Sequence, residues 1–213
     1  MLEDISGEKI KEQFKSNKTV RIITMVVGGV IVLALGYFIY RQFVWQPANE
    51  KSKDAYWAGL NHAAKDSTDL AIEELQVQVK KYDGKDGGEI AQFLLARQYM
   101  NKGEFKKAIA ELEGVDVNDT YVQIISIGLQ ADAYSELENY VEAAKLYKTA
   151  ADMNENELTT PMYLMKAGLC LEEINNFEKA TEYYITIKEN YSAFASQKII
   201  DKYIARTENK TSK

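Results

Sequence analysis

Residues 127–150 read IGLQADAYSELENYVEAAKLYKTA, and the fold follows from this stretch. Tyr140, Ala143, Tyr147 and Ala150 stand at i, i+3, i+7 and i+10, so one face of a helix carries all four. The same pattern lies upstream in FLLARQYMNKGEFKKAIAEL, residues 93–112, and downstream in LMKAGLCLEEINNFEKATEYYITI, residues 164–187. Ala96, Ala131 and Gly168 correspond, as do Phe105, Tyr140 and Phe177, and then Ala108, Ala143 and Ala180, always 35 and then 37 residues apart. Two antiparallel helices joined by a short turn need small residues where their backbones approach and an aromatic to fill the adjacent gap. A degenerate copy precedes these, with Gly59 and Ala71 each 37 residues before Ala96 and Ala108.

Turn signals fall between the units. Asn101-Lys102-Gly103 ends one helix and Asn118-Asp119-Thr120 opens another, while Thr160 is expected to cap a helix with Pro161 in its first turn. Ser192 is expected to cap a last helix, whose Phe194, Ile199, Ile200, Tyr203 and Ile204 cover the open end of the stack. Nine helices result, counting one near the N-terminus.

That first helix is of another kind. Ile22 to Tyr40 is a run of 19 residues without a charge, bounded by Arg21 and Arg41. At 1.5 Å per residue it spans roughly 28 Å, the thickness of a bilayer's hydrocarbon core. Tyr37, Tyr40 and Trp45 sit at its distal end, where aromatic rings favour the headgroup level. The length and the lack of a small-residue cleavage site in the following YRQFVWQPANE favour an uncleaved anchor over a signal peptide. Lys9, Lys11, Lys15, Lys18 and Arg21 precede the span, against Arg41, Lys51 and Lys53 after it, which places the short tail in the cytoplasm. The expected organisation is a cytoplasmic tail over 1–19, with Ile5, Ile10 and Phe14 as weak amphipathic turns, and a transmembrane helix over 20–45. A repeat domain over 50–207 and a disordered terminus over 208–213 follow.

Composition narrows the function. Only two prolines among 213 residues suit long uninterrupted helices. Residues 50–213 carry 20 Lys and Arg against 28 Asp and Glu, an acidic balance that disfavours nucleic acid. One histidine, His62, and one cysteine, Cys170, cannot supply a triad, a disulfide or a zinc site within one chain. Both read as packing residues, Cys170 within the apolar AGLCLEEI. Asp83-Gly84-Lys85-Asp86-Gly87-Gly88-Glu89 lacks the spacing of a calcium loop and the ending of a phosphate loop, so it reads as a turn. Glu73-Glu74 and Glu172-Glu173 point to different sides of their helices, which makes them solvated faces rather than acid–base pairs. No enzyme, cofactor, metal or small-molecule substrate is expected.

The units resemble tetratricopeptide repeats over about residues 50 to 191. The A-x2-Y pattern recurs at Ala96 to Tyr99 and Ala131 to Tyr134, and A-x3-L/Y at Ala108 to Leu112, Ala143 to Tyr147 and Ala180 to Tyr184. Gln92, Ile127 and Leu164 replace the pattern's tryptophan, and its closing proline is missing. The resemblance implies an all-α fold: a right-handed superhelix of antiparallel pairs behind a transmembrane helix, closed by a capping helix. It also implies a concave protein-binding face lined by the first helix of each pair. Phase from the small-residue seam nominates Tyr56, Leu60, Phe93, Arg97, Met100, Asp132, Met165 and Leu169 for that face.

With its tail, single span and acidic repeats, the chain also resembles the bacterial inner-membrane family of ancillary subunits of the SecYEG translocon. That resemblance implies a periplasmic repeat domain binding translocon components, periplasmic chaperones or secreted chains. A scaffold that self-assembles or organises envelope or division complexes is the alternative reading.

Overall fold

The computed structural model describes Gly7 and residues 14–211, which are helical apart from turns and short loops. Of the tail's expected apolar turns, Ile5 and Ile10 lie outside the described residues. The chain divides into two units, Met1–Lys51 and Ser52–Lys213.

The first unit holds helix α1, Lys18–Tyr40. Asn17 caps it, its side-chain oxygen accepting from the backbone N–H of Thr19 at 2.9 Å. None of its residues is buried. Among the described residues this is the one helix long and apolar enough to cross a membrane. At its start the Arg21 guanidinium donates to the carbonyls of Phe14 and Lys15, at 3.1 and 2.8 Å. After Tyr40 the chain makes a π turn, Arg41–Trp45, and continues as α2, Gln46–Ser52, so helix runs past the expected end at 45. The cause is Pro47. Its missing N–H and bulky ring disrupt the i−4 ladder, and the wider π turn, with Gln46 N–H bonded to the Arg41 carbonyl, carries the helix through.

The second unit is a stack of helix pairs: α3 (Trp57–Ala63) with α4 (Thr68–Lys81), α5 (Asp86–Asn101) with α6 (Phe105–Glu113), α7 (Thr120–Glu136) with α8 (Tyr140–Met153), and α9 (Thr159–Glu173) with α10 (Phe177–Asn190). From α3 to α10 each consecutive pair of helices packs together. The seam behaves as expected: Ala71, Ala96, Ala108, Ala131, Ala143 and Ala180 are fully buried. A Cβ on Gly168 would sit 2.5 Å from the Tyr184 ring, which accounts for the glycine there.

A backbone signature marks all four pairs. Asp66, Gly103, Glu138 and Asn175 adopt left-handed conformations, with φ of 56°, 72°, 60° and 59°. The next residue's N–H in each case reaches back to a carbonyl five residues earlier: Ser67 to His62, Glu104 to Tyr99, Asn139 to Tyr134 and Asn176 to Leu171, at 2.8–3.0 Å. These are Schellman closures, repeated in the register of the side-chain markers.

Several local expectations need correction. Helix α9 starts at Thr159, not after Thr160. Asn156 does the capping, accepting from the N–H of Leu158 and Thr159, while the Thr160 hydroxyl donates to the Ala151 carbonyl inside the fold. In the stretch 83–89 only Gly84 serves as a turn glycine, at φ 63°; Gly87 and Gly88 belong to the first turn of α5. A Cβ on Gly87 would lie 1.8 Å from the Ser52 carbonyl oxygen, and one on Gly88 2.0 Å from that of Tyr82, so these two glycines permit contact. The expected final helix breaks at Ile199 into α11 (Ser192–Lys198) and α12 (Ile200–Thr211). Twelve α-helical segments stand among the described residues, against the nine expected: α1, the four pairs and a final helix already make ten, and α2 and the break at Ile199 add one each. The last helix also reaches into the stretch expected to be disordered from 208. Its Thr207, fully buried, accepts from and holds the Thr181 hydroxyl at 2.6 Å, which fixes the end of α12 against α10.

The core falls into two clusters. The smaller lies across α4, α5 and α6 around Leu75, Leu95 and Tyr99; the larger runs from Ile124 in α7 to Ile200 in α12. Helices α6 and α7, where they meet, share the thinnest contact between consecutive helices from α3 to α10.

Candidate protein-binding face

The nominated residues lie in or beside the first helix of each pair, and the structure sorts them. Tyr56, Leu60, Phe93 and Met100 are half-buried, leaning on the smaller core cluster. Arg97 is exposed, with its guanidinium carbon 6.0 Å from the centre of the Phe93 ring, an arrangement in which a cation and an aromatic face present themselves together. Leu169 is 38% exposed. Met165 sits inside the larger core at 9% exposure, so it packs rather than offers a surface. Trp57, half exposed, stacks on Tyr56 with ring centres 5.3 Å apart.

Asp132 is not a free surface carboxylate. It accepts hydrogen bonds from the Tyr147 hydroxyl of α8 and from Lys166 Nζ of α9, the latter at 2.6 Å. The Lys166 ammonium also lies 5.4 Å from the centre of the Tyr147 ring. One carboxylate therefore ties three helices together across a repeat boundary. Burial, and then the bond to Asp132, holds the Tyr147 phenol far above its ordinary range.

The next pair repeats the device. The Tyr184 hydroxyl of α10 donates to Glu172 of α9 at 2.8 Å, and Arg206 of α12 donates to the same oxygen. Buried tyrosine hydroxyls need acceptors, and the last two pairs each supply one from their own first helix. The tyrosine stripe is thus core with a polar end. Cys170 is buried as expected, and burial raises its thiol pKa.

Sequence phase overlooked Ile125 and Tyr121, which are 41% and 59% exposed on α7. Ile125 stands six residues before the seam residue Ala131, as Ile90 does before Ala96 and Met162 before Gly168; extending the offset would have found it. Phe93, Arg97, Ile125 and Leu169 give three consecutive first helices accessible side chains that are mainly apolar, with Arg97 the one cation among them. Nothing in this set forms a reactive constellation. Among the described residues no group of three or more His, Cys, Asp or Glu side chains is placed to hold a metal ion.

Stacked antiparallel helix pairs in a repeated register define a helical-repeat fold, of the kind that typically serves protein interaction. The chain belongs to the tetratricopeptide repeat-like domain family, whose model matches residues 11–152, from ahead of α1 nearly to the end of α8. No match is found among curated proteins.

Proposed function

We propose that this chain is a membrane-anchored adaptor whose repeat domain holds other proteins at the membrane surface through the stripe formed by Tyr56, Leu60, Phe93, Arg97, Met100, Ile125 and Leu169. The observation that carries this reading is the coexistence in one chain of a helix with a 19-residue uncharged run and no buried residue, and a repeat domain of an interaction family. An apolar surface of that length is costly in water and favourable in lipid. The excess of Lys and Arg before the span favours a cytoplasmic tail and a periplasmic repeat domain. In that compartment the resemblance to ancillary subunits of the SecYEG translocon names the partners: translocon components, periplasmic chaperones or emerging chains. Asp132 and Met165 serve the stripe from behind, one as a tie between helices and one as packing.

The test is photocrosslinking in intact cells from a photoreactive residue at Phe93, paired with protease digestion of spheroplasts. Translocon subunits, chaperones or secreted chains in the adducts, with the repeat domain digested from outside, support the adaptor. Adducts of the chain with itself or with division proteins favour the scaffold, and a protected repeat domain overturns the periplasmic placement.

A further inference from the structure

The second helices of the last two pairs, α8 and α10, leave a groove between them that the proposed binding stripe does not use. Two cavities, about 310 and 380 Å³, lie end to end along it and share Lys148, Asp152 and Tyr183. The two helices run in the same direction: Val141 and Asn176, at their N-terminal ends, line one cavity, and Glu155 and Tyr191, past their C-terminal ends, line the other. Leu164 and Leu171 of α9 contribute to the lining beneath. At one end stand Val141, 63% exposed, and Ile174, 37% exposed, apolar side chains with no cover.

Charge is distributed unevenly along this groove. Lys145 and Lys179 line its N-terminal cavity, Glu155 and Glu182 line its C-terminal one, and the Lys148–Asp152 ion pair lies between. Glu142 pairs with Lys145 at 3.0 Å, and Lys179 lies over the Tyr183 ring. The acidic end includes Glu155, which accepts from the Tyr191 hydroxyl at 2.8 Å. A row of apolar side chains with cations at one end and carboxylates at the other matches an amphipathic helix of opposite polarity.

We propose that this groove docks an amphipathic helix of a partner protein, acidic in its first turn, basic in its last and apolar along one stripe, lying parallel to α8 and α10. Acidic residues at the start and basic residues at the end are also what a helix's own dipole favours, so the occupant is well formed before it docks. From Val141 to Glu155 the groove follows about 21 Å of helix, which sets the occupant at about 14 residues. The site is separate from the first-helix stripe, so the domain holds two partners, or two segments of one, at once.

The experiment uses the full chain in lipid nanodiscs and two fluorescent 14-residue helical peptides of identical composition. One has glutamates at its N-terminal end, a leucine stripe and lysines at its C-terminal end; the other has the charges exchanged. Fluorescence anisotropy is expected to show the first binding about tenfold more tightly. Val141→Asp with Ile174→Asp removes that binding with helix content intact. Exchanging the groove's charges (Lys145→Glu, Lys179→Glu, Glu155→Lys and Glu182→Lys) reverses the preference. Phe93→Ser and Leu169→Ser leave it unchanged. Equal affinity for both peptides, binding of neither, or loss of binding only in the Phe93 and Leu169 variants overturns the proposal.

Discussion

Of the four residues that close the helix pairs in the left-handed conformation, Gly103 bears no steric cost there, and Asp66 and Asn175 are side chains that tolerate it; Glu138 is the exception. A left-handed residue with a Cβ costs roughly 1–2 kcal/mol. Glu138→Gly is therefore expected to stabilise the domain by about 1 kcal/mol, and Gly103→Ala to destabilise it by about the same. Urea unfolding followed by circular dichroism measures both, and a Glu138→Gly variant no more stable than the parent contradicts the assignment of strain. Ile199, β-branched and at φ 53°, carries the same burden where α11 gives way to α12. None of these conformations was legible in the sequence except at Gly103, because a glutamate or an isoleucine announces helix or strand. Only the closure demanded by the packed pairs forces them left-handed.

At the level of the helices, the repeat register was legible because it rests on steric size: Ala96, Ala131 and Gly168 sit where backbones approach and nothing larger fits. Start points of helices were less so. Asn156 outcompeted Thr160 for the α9 cap because Thr160 is turned inward to the Ala151 carbonyl, a tertiary bond that local pattern does not reveal. Gly87 and Gly88 read as a turn when they mark close approach to Ser52 and Tyr82. Gly87→Ala is thus expected to cost about 3 kcal/mol, because the clash is with backbone and cannot be relieved by a rotamer. A drop of the urea midpoint no larger than an exposed helical Gly→Ala change produces would refute that contact. Of the candidate face, phase gave the helix positions but not their burial, which leaves Met165 inside the core and Ile125 exposed. Asp132→Ala should destabilise by about 2–3 kcal/mol, leaving the Tyr147 hydroxyl buried without its acceptor. Asp132→Asn, which keeps an acceptor, should recover most of that loss.

Across the whole repeat domain, the strongly shifted tyrosines lie on one side of the α6–α7 junction. Tyr147, Tyr163 and Tyr184 all belong to the larger cluster, and burial, then the charge of Asp132, pushes Tyr163 up to about 12. A phenol whose pKa is raised in the folded state supports that state fully below its unfolded pKa, about 10. The support is lost as pH climbs through the folded value. Between pH 10 and about 12 the α7–α12 half is therefore expected to lose helix first. In a Trp45→Phe background, Trp57 emission should report the α3 side still folded while circular dichroism already falls; simultaneous change of both signals counts against two separable halves. Divided cores also have a mechanical meaning. Stretched between its ends in an optical trap, the domain should lengthen in two distinct jumps rather than one, with the smaller half yielding at lower force. A protein gripped from both sides would then behave as a spring with one soft coil, paying out slack near α6 while the larger half keeps its hold.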